Sequence, residues 1–240
     1  MNSNNNNNNN DNNASSAGKT LVSWQIAVYK TDKKLIEFND KLNVAPITTY
    51  AHIHAQADDG EDGRRVYSNI GIVLQDYSNG TGDKTIRVTA NISPDEAQYI
   101  HSRINACSEK FEFTSDKIFG QPDEKGYSRM TKLKILRSNV GSDGKPRNYP
   151  WYIECENGKG IAEKNKTGGT YCRSKSFVSE SKVYINLNDL DFFKLMNRVS
   201  SYIRIWESQY GASLMVTGKN AIEEQMAEAN KLQQQQNSGK

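Results

Sequence analysis

Apolar and polar residues alternate along much of the chain with the two-residue period of strands, and twice that alternation gives way to a helical spacing. Residues 21–29 (LVSWQIAVY) put Val22, Trp24, Ile26 and Val28 on one face. Residues 35–42 fit a short strand or a turn of helix. After Pro46, residues 47–56 (ITTYAHIHAQ) alternate again, and 58–63 (DDGEDG) read as an acidic turn. A strand over 66–77 holds Ile70, Ile72 and Leu74 in register. The Asn-Gly of SNGTGD signals a hairpin, and 85–92 returns with Ile86, Val88, Ala90 and Ile92 inward. Ser93-Pro94-Asp95-Glu96 then starts a helix: a capping serine, proline at the first helical position and glutamate three residues after the cap. Its stripe is Ala97, Ile100 and Ile104.

The same phrase follows in the second half. Residues 113–128, with Gly120, Pro122 and Gly126, read as a connection. Strands are expected over 131–137 and 149–156, the latter through Trp151, Ile153 and Cys155, around a long loop at 138–147. Asn157-Gly158 is a second turn signal. The stretch 168–178 (GGTYCRSKSFV) and the segment through Val183, Ile185 and Leu187 are further strands. Asn188 to Asp191 caps a helix expected to reach about 207, with Phe193, Met196, Val199, Ile203 and Trp206 as its apolar stripe. A thinner helical pattern runs through Ile222 and Met226.

These elements predict an α+β protein of two antiparallel-sheet-plus-helix units, each a β-meander followed by one amphipathic helix, pseudo-duplicated along the chain. The boundaries are an Asn-rich tail without fixed structure at 1–19, a first unit at 20–112, the connection at 113–128, a second unit at 129–212 and a partly helical tail at 213–240. A single helix covers one face of such a sheet and leaves the other free. IRVTANISPDEAQYIHSRI and KVYINLNDLDFFKLMNRVSSYI, with the meanders before them, resemble the Pur-alpha repeat and, more loosely, the whirly and transcriptional-coactivator group of single-stranded DNA binders. The resemblance covers about half of the chain. It implies a pseudo-twofold pair of units within one chain and single-stranded nucleic acid, DNA before RNA, as partner. The sequence departs from that pattern in an acidic first unit and in a segment before Ile47 that the second unit lacks.

Charge sharpens the picture. The net charge is only +3, but residues 117–182 hold fourteen Lys/Arg against seven Asp/Glu, whereas 44–110 hold six against nine. A local excess of one sign is the footprint of an anionic partner, or a basic surface kept for solubility. Cys107, Cys155 and Cys172 are too few and too scattered for a disulfide framework, which fits a reducing, cytoplasmic setting. No apolar run has the length of a membrane span, so no membrane partner is expected; homo-oligomerisation is left open.

The candidate chemistry centres on 168–178. Read as one strand, it puts Tyr171, Arg173, Lys175 and Phe177 on a single face, where cations meet phosphates and rings stack on bases. The alternative is an exposed strand whose rings form cross-strand pairs. Lys159, Lys164 and Lys166 lie beside it, and Lys132, Lys134 and Arg147 extend the basic set. Trp151 shares its face with Ile153 and Cys155, which assigns it to the core and leaves Tyr152 for the ligand. His52 and His54 flank Ile53 as a divalent-metal pair would, and Tyr99 follows on a helix, the order of a rolling-circle nicking enzyme. No phosphate loop, nucleophilic triad or cofactor motif is present, and the chain is expected to bind without catalysis, cofactor or metal. The remaining alternative is a structural or scaffold protein of a phage or mobile element.

Overall fold

The computed structural model describes residues 24–43, 50, 53–54, 67–141 and 143–238. The tail at 1–19, most of the alternating segment at 47–56 and the acidic turn at 58–63 lie outside the described residues. β1 (Gln25–Lys30), β2 (Lys34–Lys41), β3 (Asn69–Asp76) and β4 (Ile86–Ile92) form an antiparallel sheet in chain order, followed by α1 (Pro94–Asn105). The segment that fitted strand or helix is β2. A second antiparallel sheet contains β5 (Lys110–Phe119), β6 (Tyr127–Ser138), β7 (Trp151–Lys164), β8 (Thr170–Cys172) and β9 (Val178–Leu187), and α2 (Asp189–Ser238) closes the chain. In it β7 pairs with β6 along one edge and with β9 and β8 along the other. The protein is therefore α+β with two antiparallel sheets and a helix after each.

One core serves both sheets. Ile36, Phe38, Ile72 and Leu74 of the first sheet join Leu133, Ile135, Trp151 and Ile185 of the second, with Ile100 of α1 and Phe192, Met196, Val199 and Ile203 of α2. Trp151 is the largest of these buried side chains, and its ring lies 4.6 Å from that of Phe192 and 5.9 Å from that of Phe111. The indole N–H is satisfied rather than stranded: it donates to Asp189 Oδ1 at 2.7 Å, and Arg137 donates to both oxygens of the same carboxylate at 3.1 Å. That acid in the first turn of α2 also suits the helix dipole. At α1 the expected capping box forms between Ser93 and Glu96.

Three expectations need correction. Residues 113–128 are mostly strand: Phe111 and Phe113 face the core while Glu112, Thr114 and Asp116 alternate outward, and only the turn between β5 and β6 connects. Asn157-Gly158 is no turn. β7 runs through it, because Asn157 is fixed by other bonds: its Nδ2 donates to Thr89 O (2.7 Å) and its Oδ1 accepts from Thr89 N (2.8 Å). The side-chain amide thereby pairs the exposed edge of β4 as a neighbouring strand would. Finally, α2 continues past 207 to Ser238; Trp206 and Leu214 bury against Ile53 in a second small cluster, which holds the helix as far as that turn.

Of the apolar stripe expected on α2, Met196, Val199, Ile203 and Trp206 are buried, but Phe193 is exposed and its neighbour Phe192 is buried instead. Phe192→Ala should therefore cost roughly 3–5 kcal/mol in denaturant unfolding, and Phe193→Ala no more than about 0.5 kcal/mol. Equal losses would contradict this packing.

Candidate nucleic-acid interface

β7 is 14 residues long, and only its first half touches the core. Beyond Asn157 the second sheet projects as a blade formed by the ends of β5, β6 and β7 with β8. The β6–β7 register is unbroken from Arg137↔Trp151 to Tyr127↔Ile161, so side-chain parity carries from core to tip. The core-side face becomes, on the blade, Phe119, Tyr127, Arg129, Lys159, Ile161, Glu163 and Tyr171. The opposite face carries Ser128, Met130, Gly158 and Gly160 on the blade, continuing below it to Lys132, Lys134, Glu156, Glu154 and Tyr152. The sheet curls enough to bring β5 and β8 into contact.

The stretch 168–178 does not form one strand. β8 stops at Cys172, residues 173–177 turn with Lys175 in the left-handed region (φ 62°), and β9 begins at Val178. The turn folds onto the opposite face of the blade, where Ser176 Oγ accepts from Ile161 N at 3.0 Å. Gly158 and Gly160 make that close approach possible, since a Cβ at either would collide with Val178 O or Cys172 Sγ. As a result Tyr171 and Phe177 lie on opposite faces. The alternating surface Tyr171, Arg173, Lys175, Phe177 is thereby corrected: a strand that turns loses its parity.

The remaining sequence candidates separate into three places. Lys159, Lys164 and Lys166 stand at the blade with Tyr171, Arg173 and Lys175. Lys132, Lys134 and Tyr152 lie on the outer face, opposite carboxylates: the pairing sets Lys132 between Asp116 and Glu156, and Lys134 beside Glu154. Lys182 also reaches Glu154, at 2.9 Å, and Lys132 sits over the Phe177 ring at 4.2 Å. The Tyr152 hydroxyl bonds to Glu154, and its ring stacks on Tyr184 at 5.4 Å. This face neutralises itself. Arg147 belongs to the loop before β7, at the end remote from the tip; 14 residues at ~3.4 Å each span roughly 45 Å.

On the core-side face of the blade, Tyr171 is 46% and Phe119 50% exposed. Glu163 accepts from the Tyr171 hydroxyl (3.0 Å) and from Arg173 Nε (2.6 Å). The bond from Arg173 first, then that from Tyr171, holds the Glu163 carboxyl below the usual range, and the bond to Glu163 pushes the Tyr171 phenol up. Lys159 meets Glu180 at 3.6 Å and lies 5.7 Å from the Tyr127 ring centre. Among the described residues, Arg129, Lys164, Lys166 and Lys175 make no ion pair. Phe119, Tyr127 and Arg129 were not singled out by sequence reasoning. The signal was present as the alternation KFEFTSDKIF through β5, which the connection assigned to 113–128 obscured.

The histidine motif is only partly visible. His52 lies outside the described residues. His54 Nε2 pairs with Glu207 at 2.9 Å and its ring sits 5.6 Å from Trp206, while Tyr99 is exposed on α1 beside Arg103. Among the described residues no group of three His, Cys, Asp or Glu could hold a metal, and no helix is long and apolar enough to cross a membrane.

No protein-family model matches the chain, and no curated protein does. Among solved structures the chain is similar to the plant transcriptional regulator PBF-2, at 14% sequence identity over 80% of this chain and 95% of that one, with a TM-score of 0.42.

On the outer face, burial acts to raise the Glu154 carboxyl, but the bonds from Tyr152 and Lys182 outweigh it and hold the group below its ordinary value. Its contribution to stability is complete above the unfolded pKa, ~4.3, and is lost as pH falls through the lower folded value. Tyr152→Phe should therefore raise the Glu154 titration midpoint and shrink that acid-side loss, read by NMR titration. An unchanged midpoint would contradict the assigned bond.

Proposed function

We propose that the chain binds single-stranded nucleic acid, single-stranded DNA in the first place, through the core-side face and rim of the blade, without catalysis of its own. The observation that carries this reading is the joint exposure of Phe119 and Tyr171, with Tyr127 beside them, among cations that make no ion pair among the described residues: Arg129, Lys164, Lys166 and Lys175. Flat rings on a sheet stack on unpaired bases, at ~1–3 kcal/mol per base. A duplex hides those base faces. The surrounding cations take the phosphates, which makes affinity fall with salt. Because both rings and cations contact features common to all strands, binding through the blade is largely independent of sequence. The outer face, with its lysines set against Asp116, Glu154 and Glu156, contributes little to phosphate.

Fluorescence anisotropy with labelled single- and double-stranded oligonucleotides across a salt series tests this. Arg129→Ala with Lys166→Ala should flatten the slope of log K against log salt by roughly 1.4, at ~0.7 per phosphate of a single strand. Tyr127→Ala or Tyr171→Ala should weaken binding by about 1–3 kcal/mol with the slope nearly kept. Lys132→Ala and Arg147→Ala should change neither. If the blade variants bind like the unaltered chain, or if duplex binds as tightly as single strand, the reading is wrong.

A further inference from the structure

We infer that the first sheet carries a second, selective site, a pocket for one nucleobase bearing an exocyclic amino group. The inference rests on the strand-binding reading above and gives it a local sequence preference. The face of this sheet turned away from the core is open along β2, where Trp24 and Tyr67 stand 63% and 50% exposed. Trp24 precedes β1 and is held to β2 by Asp40 N donating to Trp24 O at 2.7 Å. Tyr67 precedes β3, and its carbonyl accepts from Asn43 Nδ2 (2.9 Å) and Asn69 Nδ2 (2.8 Å). β1 and β3 flank β2 and so lie ~9.5 Å apart. Both residues line a depression of about 730 Å³, together with Glu37, Asn39, Lys41 and Asn69. A planar group entering it can stack on an exposed ring.

The polar lining selects which planar group. The Glu37 carboxylate is fixed in place by Gln25 Nε2 at 2.7 Å and Asn39 Nδ2 at 3.2 Å. An ionised carboxylate has about four acceptor sites and no donor, so it still accepts. Lys41, the cation of the lining, is turned away: its Nζ donates to Asn91 Oδ1 at 2.9 Å, and its stem lies over Gly71. A charged acceptor in a depression that two exposed rings line suits an amino N–H of cytosine, adenine or guanine. Thymine has no amino group; its one ring N–H lies between two carbonyl oxygens that repel a carboxylate. Arg87, close enough to add to burial in lowering the Lys41 pKa, stands on the same face to meet the flanking phosphate.

The test is anisotropy of the full chain with a dT15 oligonucleotide and with the same strand carrying one central cytosine, adenine or guanine. The substituted strands should bind at least about fivefold tighter. Glu37→Gln should remove that advantage, Trp24→Ala should reduce it, and Tyr171→Ala should weaken all strands while keeping the ratio between them. Equal affinity for dT15 and the substituted strands would overturn the pocket and leave blade binding standing; absence of binding to every strand would overturn both. The same acceptors would also suit a guanidinium. If N-acetyl-arginine amide shifts the Trp24 indole resonance and the substituted strands do not, the pocket takes a peptide side chain and the inference is wrong.

Discussion

The exchange of hydrogen bonds between the Asn157 side chain and the backbone of Thr89 decides where the second sheet stops being core and becomes blade. β4 is an edge strand, with backbone groups that would otherwise need another partner. Asn157 supplies one, and also donates to Thr131 Oγ1 at 3.0 Å. On the core side of that point the face of β7 reads Trp151, Ile153, Cys155, all buried; beyond it the same face reads Lys159, Ile161, Glu163. A single strand of fixed parity is thus asked to serve two environments, and the sequence changes its chemistry where the environment changes. Burial on the core side is deep enough to push the Cys155 thiol up to about 12, so it packs as a small apolar group.

The consequence for charge is less obvious from composition. The basic excess of the second half is real, but much of it is set beside carboxylates or backbone carbonyls. Lys132, Lys134 and Lys182 interleave with Asp116, Glu154 and Glu156 across the outer face, and Arg137 is committed to the start of α2 through Asp189. Lys117 is likewise occupied, by Asn91 O at 2.8 Å and Glu96 at 3.5 Å. These pairs are partly exposed and add little stability each. At the tip, by contrast, Arg129, Lys164, Lys166 and Lys175 make no ion pair among the described residues.

Much of the fold was legible in the sequence because it depends on local signals. The capping box at Ser93, the alternation of Ile70, Ile72 and Leu74, and the repeated strand-then-helix phrase all specify their elements without help from distant residues. What failed depended on contacts across the chain. Asn157-Gly158 carries turn chemistry, and only the encounter with Thr89 keeps it in a strand. Residues 168–178 alternate as a strand should, yet the glycines at 158 and 160 admit the turn at 173–177 against the opposite sheet face. For the site, parity across a turn cannot be read from spacing. Tyr171 and Phe177 were therefore joined wrongly, and Tyr127, Phe119 and Arg129, far away in sequence, were passed over.

Hydrogen–deuterium exchange of the full chain, with and without a saturating dT15 strand, asks most directly which surface meets the ligand. The account predicts slowed exchange in the ends of β5, β6 and β7 and in β8, with the 139–150 loop and the middle of β9 unchanged. Protection spread over β9 and the start of β7 instead, or no protection anywhere, would contradict it.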